Sequence, residues 1–313
     1  MTLIDHIADL MRAAAYEHLL PNHGRVAKEQ IFQHTDGSAF TTLDLLVEAQ
    51  LTKGIQALLP GAVILGEEAI GENPEAVLKQ AREQTVVIID PIDGTGGFCR
   101  GDGTYGMTVA VIDKGVTVAA CIYSPGRTVT DHFGKMKAEK DFTFIGEKGV
   151  GCFMNSERIR LDDIPAMSLI DAQISFACRN QDKKYEALLA DKVPGYRPRN
   201  NASNDYEKLL FGGVHATFFS EGFTPALTGK CPPWDHAAGV FMMQEAGGYA
   251  ALPYNDKGGV AYDPLGCHDR VLACCNREMY DDVYRHIKAR APELLQPRTH
   301  KAIAPVIAPP RPF

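Results

Sequence analysis

The 313-residue chain lacks the features that mark a secreted, membrane-spanning or nucleic-acid-binding protein. None of its eight cysteines forms a CxxC pair, and most fall in apolar or Gly-rich contexts, where a reduced, buried thiol is expected. It has no apolar run long enough to span a bilayer, and its first segment is too charged for a signal peptide. The net charge of -7 gives no support to a nucleic-acid polymer as partner. We therefore expect a cytoplasmic protein with no membrane partner.

A motif with chemical content is present at residues 85–95, TVVIIDPIDGT, where an apolar strand continues into a turn with two aspartates. The proline prevents a regular helix through the turn, and Gly94 permits backbone angles closed to other residues. Asp90, Asp93 and the carbonyl of Ile92 can then converge at the end of the strand, where metal ions would sit beside a phosphate. The same residue types also form ordinary surface turns, so the motif alone leaves both interpretations open.

Two other acidic segments lie at the boundaries of patterned segments. Glu67 follows the apolar run AVILG and stands at the end of a predicted strand, whereas Glu68 fits a solvated loop carboxylate. Asp235 begins a predicted buried helix, WDHAAGVFMMQEAGG, where it can cap the helix and also bind a metal ion. Hard oxygen ligands without clustered His or Cys favour magnesium or manganese over zinc.

Taken in order, these motifs resemble those of the inositol monophosphatase family, the lithium-sensitive, magnesium-dependent phosphomonoesterases. The matching residues are Asp44 in TTLD, Glu67 in GEE, Asp90, Asp93 and Thr95 in DPIDGT, and Asp235 in WDHAAG. The resemblance covers roughly residues 1 to 290. It implies a mixed α+β and α/β fold, a layered αβαβα sandwich of alternating helices and sheets, assembled as a homodimer.

The resemblance also implies two to three Mg²⁺ ions and hydrolysis of a small phosphate monoester by a water molecule that the ions activate. Glu67, Asp90 and the Ile92 carbonyl would hold the first ion. Asp90, Asp93 and Asp235 would hold the second, and a weaker third ion would lie near Glu67. If these carboxylates do converge, each close pair repels by roughly 4 kcal/mol at about 4 Å and an effective dielectric of about 20, so the site requires cations.

The remaining implied roles concern water, phosphate and substrate. Thr95 and Asp44 would position the attacking water, and the backbone amides of Gly94 and Thr95 would receive the phosphate oxygens at the start of a short helix. Ala202 and Glu221 would contact the rest of the substrate.

The residues after DPIDGT fit no single substrate class. Gly96 and Gly97 stand where inositol monophosphatases commonly have Thr-Asn. The GFCRG segment is similar to the GFLRG of enzymes that dephosphorylate 3′-phosphoadenosine 5′-phosphate, yet those enzymes usually have lysine at the position of Gly96. Arg100 and Lys230 could steer an anionic substrate or be surface charges.

Three functions therefore stay open. The first is an inositol-phosphate or sugar-phosphate phosphatase, the second a 3′(2′),5′-bisphosphate nucleotidase, and the third a catalytically quiet metal-binding scaffold. The proposed acidic ligands favour the first two over the third.

The coarse pattern predicts two domains with the site between them. Residues 1–156 would form an α+β domain with the GEE and DPIDGT motifs, residues 167–291 an α/β domain with WDHAAG, and residues 292–313 a proline-rich tail. The predicted elements include a helix from about Thr42 to Leu59, a hairpin of strands 107–113 and 116–123, and helices at 182–191, 204–211, 235–246 and 277–291.

Overall fold

The computed structural model describes residues 1–34, 38–70, 74–130, 136–165, 167–178, 183–190, 201–220, 231–254 and 259–297. The helices in these ranges are α1 (Leu3–Ala14), α2 (Leu20–Asn22), α3 (Thr42–Leu58), α4 (Pro74–Gln80), α5 (Thr95–Arg100), α6 (Lys183–Ala190), α7 (Ala202–Leu210), α8 (Pro233–Glu245) and α9 (Arg277–Arg290). A π-helical segment (Ala15–Leu19) continues α1, and 3-10 turns lie at Lys28–Gln30 and Pro292–Leu295.

The strands form two large sheets and one small hairpin. They are β1 (Ile31–Gln33), β2 (Ala39–Thr41), β3 (Val63–Gly66), β4 (Thr85–Asp93), β5 (Gly106–Asp113), β6 (Val116–Thr130), β7 (Met136–Glu147), β8 (Gly151–Met154), β9 (Glu157–Ile159), β10 (Ile174–Cys178), β11 (Ala216–Ser220), β12 (Tyr249–Ala251) and β13 (Arg270–Cys274). The first sheet has the order β3-β4-β5-β6-β7-β8-β9, and the second has the order β10-β11-β13-β12. Strands β3 and β4 are parallel, as are β10 and β11, and the other neighbours in both sheets are antiparallel.

The alternation of side chains along β4 determines which layer covers each face of the first sheet. Val87 and Ile89 pack in one core with α1 and α3. Val86 and Ile88 face the opposite way and pack in a second core with α7, α8 and one face of the second sheet. Because successive strand residues point to opposite faces, a continuous apolar strand is buried on both sides.

The second sheet completes the layers. Its other face, which includes Phe176, Phe218 and Leu272, packs against α9 through Val283 and Ile287. The order is therefore helices, sheet, helices, sheet, helices, and the predicted αβαβα sandwich is confirmed. The division into two domains stays a prediction, because α8 belongs to a core that includes strands of both sheets.

Most of the elements predicted from hydrophobic pattern are present, including α3, the β5–β6 hairpin, and helices α6, α7, α8 and α9. The charged segment before β4 contains the short helix α4, which the pattern did not indicate, and the β1–β2 hairpin was also missed. No helix in the described ranges is long and apolar enough to cross a membrane.

The glycine of WDHAAG, Gly239, has a packing role between α7 and α8. A Cβ on Gly239 would overlap the ring of Tyr206. That ring is fully buried and stacked on Phe219 at 5.0 Å between centroids, and its hydroxyl lies 3.0 Å from Nδ1 of His236. The ring therefore cannot move aside at low cost.

We expect Gly239→Ala to lower the free energy of unfolding by about 1–3 kcal/mol, because the added methyl overpacks this contact. Urea unfolding followed by circular dichroism measures the change. Gly96→Ala is the matched control, since the nearest atom to its Cβ would be the flexible Arg100 Nη1 at 3.4 Å. Equal stability of Gly239→Ala and wild type would contradict the packing role.

Candidate active site

The C-terminal end of β4 places its two aspartates side by side. The register between β4 and β5 shifts between Asp90 and Asp93, so the strand bulges at this point. The Oδ1 atom of Asp90 accepts a hydrogen bond from the backbone N–H of Ile92 at 3.0 Å. Gly94 then has a φ of 92°, a left-handed conformation that glycine adopts without strain and that starts α5. The bulge and the glycine therefore direct both carboxylates to the end of the sheet.

Asp235 reaches the same point from the other half of the chain. It lies in the first turn of α8, which has Pro233 as its first residue. The hydroxyl of Thr108 on β5 donates to the Trp234 carbonyl at 2.7 Å and fixes the start of α8 beside β4. One carboxylate oxygen each from Asp90, Asp93 and Asp235 lies within 4.8 Å of the others.

Asp44 and Thr95 form a second pair at the edge of this cluster. The Asp44 Oδ2 atom accepts from the N–H and the hydroxyl of Thr41, both at 2.7 Å, as part of the capping box of α3. The Thr95 Oγ1 atom lies 3.1 Å from Asp44 Oδ1 and 3.0 Å from the Ile92 carbonyl oxygen. A hydroxyl has one proton, so Thr95 donates to only one of these acceptors at a time.

Glu67 follows β3 on the neighbouring strand end, and its N–H donates to the Ile89 carbonyl at 3.0 Å. Its carboxylate is an electrostatic neighbour of Asp235, Asp93 and Asp90, although it is not one of the three oxygens within 4.8 Å. The prediction that the Glu68 carboxylate is solvated is wrong. Its side chain is only 4% exposed and lies 3.5 Å from Nε2 of His34.

Burial of these like charges raises the pKa values of three of the carboxyl groups, those of Glu67, Asp90 and Asp44. Burial is the main cause for Glu67 and Asp90, whose pKa values lie well above the ordinary range, and repulsion from neighbouring carboxylates adds to it. Burial likewise raises the pKa of Asp44 to about 6, although hydrogen bonds from Thr41 and Thr95 oppose the shift. Without bound cations, carboxylates of this cluster therefore take up protons at moderately low pH.

The N-terminus of α7 contributes contacts that sequence analysis missed. The N–H of Ser203 donates to Asp93 Oδ2, and the Asn201 side chain caps α7 by accepting from Asn204 N–H at 2.8 Å. Asn201 also donates to the Thr104 carbonyl. The capping signal of Asn201 is visible in the sequence, but its contact across the fold is not.

The two predicted substrate contacts stay predictions. Ala202 is the first residue of α7 and is fully buried, directly before Ser203. Glu221 lies outside the described residues, as does Lys230.

The residues of this centre fit a hard divalent cation. The group around Asp90, Asp93 and Asp235 offers only carboxylate oxygens, the ligands that Mg²⁺ prefers, and it is largely buried. The raised pKa values of Glu67 and Asp90 indicate that hydrogen bonds and charges of the protein do not fully stabilise their anionic forms. A cation bound among them would supply that compensation.

Known proteins match both the sequence and the fold. The profile of the inositol monophosphatase family matches residues 4–291. A putative Nus factor SuhB of Neisseria meningitidis serogroup B is 28% identical over 249 residues, which cover 76% of this chain and 85% of the relative. An inositol monophosphatase of Dictyostelium discoideum is 27% identical over 224 residues, covering 69% and 73%. The solved structure of a Thermotoga maritima IMPase has a TM-score of 0.71 at 20% identity, covering 94% of this chain and 100% of that one.

The layered fold and its acidic centre therefore define an enzyme of the phosphoric monoester hydrolase class. The chain belongs to the inositol monophosphatase family, as the sequence motifs predicted.

We expect the metal-free protein to lose stability as pH rises from about 4 to 6. The raised pKa of Asp44, about 6 against an ordinary 3.8, means that the native state holds a proton that the unfolded chain has released across this window. Added Mg²⁺ should raise the melting temperature more at pH 8 than at pH 5, because at low pH protons compete with the metal ion. Differential scanning fluorimetry measures both effects.

The control for this prediction is Asp44→Asn, in which the metal-free decline in stability between pH 4 and 6 should be smaller. An equal Mg²⁺-induced rise in melting temperature at pH 5 and pH 8 would contradict the coupling between protons and metal ions.

Proposed function

We propose that this enzyme hydrolyses a small phosphate monoester, of the inositol 1-phosphate or sugar-phosphate type, in a magnesium-dependent reaction. The observation that carries the proposal is the convergence of Asp90, Asp93 and Asp235 within 4.8 Å at the start of α5. Membership of the inositol monophosphatase family and similarity to an inositol monophosphatase of Dictyostelium discoideum support it. A homodimer and inhibition by lithium are part of the same proposal, on the strength of the resemblance.

The proposed ligand set follows the order of the motifs. Glu67, Asp90 and the Ile92 carbonyl hold one ion, Asp90, Asp93 and Asp235 hold a second, and a weaker third ion lies near Glu67. When bound, magnesium ions lower the pKa of the attacking water and stabilise negative charge on the leaving oxygen. The hydrogen bonds from Ile92 to Asp90 and from Ser203 to Asp93 keep these two carboxylates oriented.

Thr95 and Asp44 are proposed to position the attacking water. If the Ile92 carbonyl is engaged as a ligand, the Thr95 hydroxyl donates to Asp44 at 3.1 Å. Its lone pairs then accept a hydrogen bond from water and orient it toward the phosphorus. Because Asp44 accepts from the Thr95 hydroxyl, it is placed to take up, through that hydroxyl, a proton that the water releases.

The phosphate is proposed to lie at the start of α5, where the backbone amides of Gly94 and Thr95 receive its oxygens. The rest of the substrate would contact Glu221 and the region around Ala202. Ala202 lies at the N-terminus of α7, next to the residue that contacts Asp93, and because it is fully buried its role there would be packing under the substrate site.

We expect Asp93→Asn to reduce kcat by roughly 100-fold or more, because it removes one negative charge from the proposed second cation site. The asparagine carbonyl can still accept from Ser203 N–H, so the melting temperature of the metal-free protein should not fall. Phosphate release and melting curves measure the two effects. Asp171→Asn, at an exposed aspartate that accepts from Ser168, is the matched control. Near-normal turnover of Asp93→Asn would contradict the proposed role.

A second candidate is a 3′(2′),5′-bisphosphate nucleotidase, and the position of Arg100 favours it. This chain has Gly96 where those enzymes usually have lysine. A Cβ added at Gly96 would nevertheless lie 3.4 Å from Arg100 Nη1. The guanidinium therefore supplies a positive charge next to that position. Its Nε and Nη2 atoms contact Asp102 at 3.1 and 2.7 Å.

A substrate panel separates the candidates: inositol 1-phosphate, 3′-phosphoadenosine 5′-phosphate, histidinol phosphate and fructose 1,6-bisphosphate, each with magnesium and with lithium added. We expect inositol 1-phosphate or a sugar phosphate to have the highest kcat/KM.

If the nucleotide is preferred, Arg100→Ala should raise the KM for the nucleotide roughly tenfold, the effect of one charged hydrogen bond. Arg285→Ala, an exposed arginine paired with Asp282, is the control. Absence of phosphate release from every substrate would favour the quiet scaffold.

A further inference from the structure

A buried carboxylate next to the metal centre, that of Glu48, has no role in the proposed reaction. Glu48 lies on α3 one turn after Asp44, so the two acids share one helix face. It is only 5% exposed. Burial of a carboxylate is costly unless hydrogen bonds compensate it, so the partners of Glu48 indicate its purpose.

Those partners are the backbone of the Glu67 turn. The Oε2 atom of Glu48 accepts from the N–H of Glu68 at 2.9 Å, and the N–H of Ala69 also bonds to the carboxylate. A Cβ on Gly66 would overlap the carboxyl group, so the glycine before Glu67 is required for this close approach. The turn closes with a hydrogen bond from Ile70 N–H to the Gly66 carbonyl at 3.0 Å.

Glu67 is therefore held from both sides. Its own N–H is bonded to Ile89 on β4, and the N–H of the next residue is bonded to Glu48 on α3. The same helix makes a second contact with the centre, since Asp44 Oδ1 lies 3.1 Å from the Thr95 hydroxyl. Helix α3 thus fixes the position of the Glu67 turn relative to Thr95.

We propose that Glu48 is a positioning residue for the metal centre, which holds the Glu67 turn on α3 so that the Glu67 carboxylate can bind a cation. The inference rests on the proposed function, in which Glu67 is a ligand. A neutral acceptor can replace the carboxylate, because an amide oxygen also accepts from the N–H of Glu68.

The test is direct titration with Mn²⁺, a paramagnetic substitute for Mg²⁺, followed by electron paramagnetic resonance of the free ion. We expect Glu48→Ala to weaken Mn²⁺ binding about tenfold or more, the usual effect of removing a group that orients a ligand. Glu48→Gln should stay within about threefold of wild type, because it keeps the acceptor. Gln56→Ala, an exposed residue on the same helix, should bind Mn²⁺ like wild type.

Gly66→Ala tests the same contact in a protein that keeps Glu48, so the inference stays testable if Glu48→Ala is unstable, and a double-mutant cycle tests the coupling of the two residues. In the wild-type background the added methyl overlaps the Glu48 carboxyl group and displaces the turn, so we expect weaker Mn²⁺ binding and a lower melting temperature. In the Glu48→Ala background the obstructing group is gone. Gly66→Ala should then cause little further change, and the two effects should be strongly non-additive.

The outcomes separate this inference from the proposed function. If Glu67→Gln weakens Mn²⁺ binding and Glu48→Ala lowers only the melting temperature, Glu48 is merely structural and the inference is wrong. Additive effects of Glu48→Ala and Gly66→Ala on Mn²⁺ affinity would also contradict it. If wild type binds no Mn²⁺ and releases no phosphate, the proposed function itself is wrong.

Discussion

The mutual repulsion of buried carboxylates is the constraint on which the site depends. Asp90 and Asp44 are each 1% exposed, Asp93 is 7% exposed, and Glu67 and Asp235 join them from other elements. The fold holds these anions with donors such as Ile92 N–H for Asp90 and Ser203 N–H for Asp93. The pKa values of Glu67 and Asp90 nevertheless remain raised, so the donors do not fully compensate for burial and repulsion.

Helix N-termini compensate part of the charge repulsion among these carboxylates, but not all of it. Asp44 and Asp235 lie in the first turns of α3 and α8, and Asp93 accepts from an N–H in the first turn of α7. A carboxylate at a helix N-terminus gains about 0.3–1 kcal/mol, and up to about 2 kcal/mol when partly buried. Each close pair of carboxylates loses roughly 4 kcal/mol at about 4 Å. Three helix ends therefore cannot offset several such pairs, and only bound cations or protons can balance the cluster.

The parts of the fold that follow local rules were predictable from the sequence. The apolar run of β4, the amphipathic pattern of α3 and the glycine stop of α8 each indicate their element, and ordered motifs indicate Asp90, Asp93 and Asp235. The contact from Ser203 to Asp93 was not predictable, because it joins positions 110 apart that only the packing of α7 brings together. The burial of the Glu68 side chain was missed for the same reason, since it packs beside His34, which is distant in the sequence.

Reaction chemistry and substrate choice depend on different elements. The carboxylates come from the strand ends, from α3 and from α8, whereas the neighbours of the proposed phosphate position come from α5 and α7. On α5, Arg100 is already paired with Asp102, so a second anionic group on a substrate would have to compete with that carboxylate.

The Arg100–Asp102 pair is exposed, with side chains 68% and 36% accessible, and such pairs contribute only about 0–1 kcal/mol to stability. A phosphate, which has more charge and more acceptor oxygens than a carboxylate, can therefore displace Asp102 at little cost. Arg100 thus remains available to a doubly phosphorylated substrate despite its ion pair, and the absence of a lysine at position 96 does not by itself exclude such a substrate.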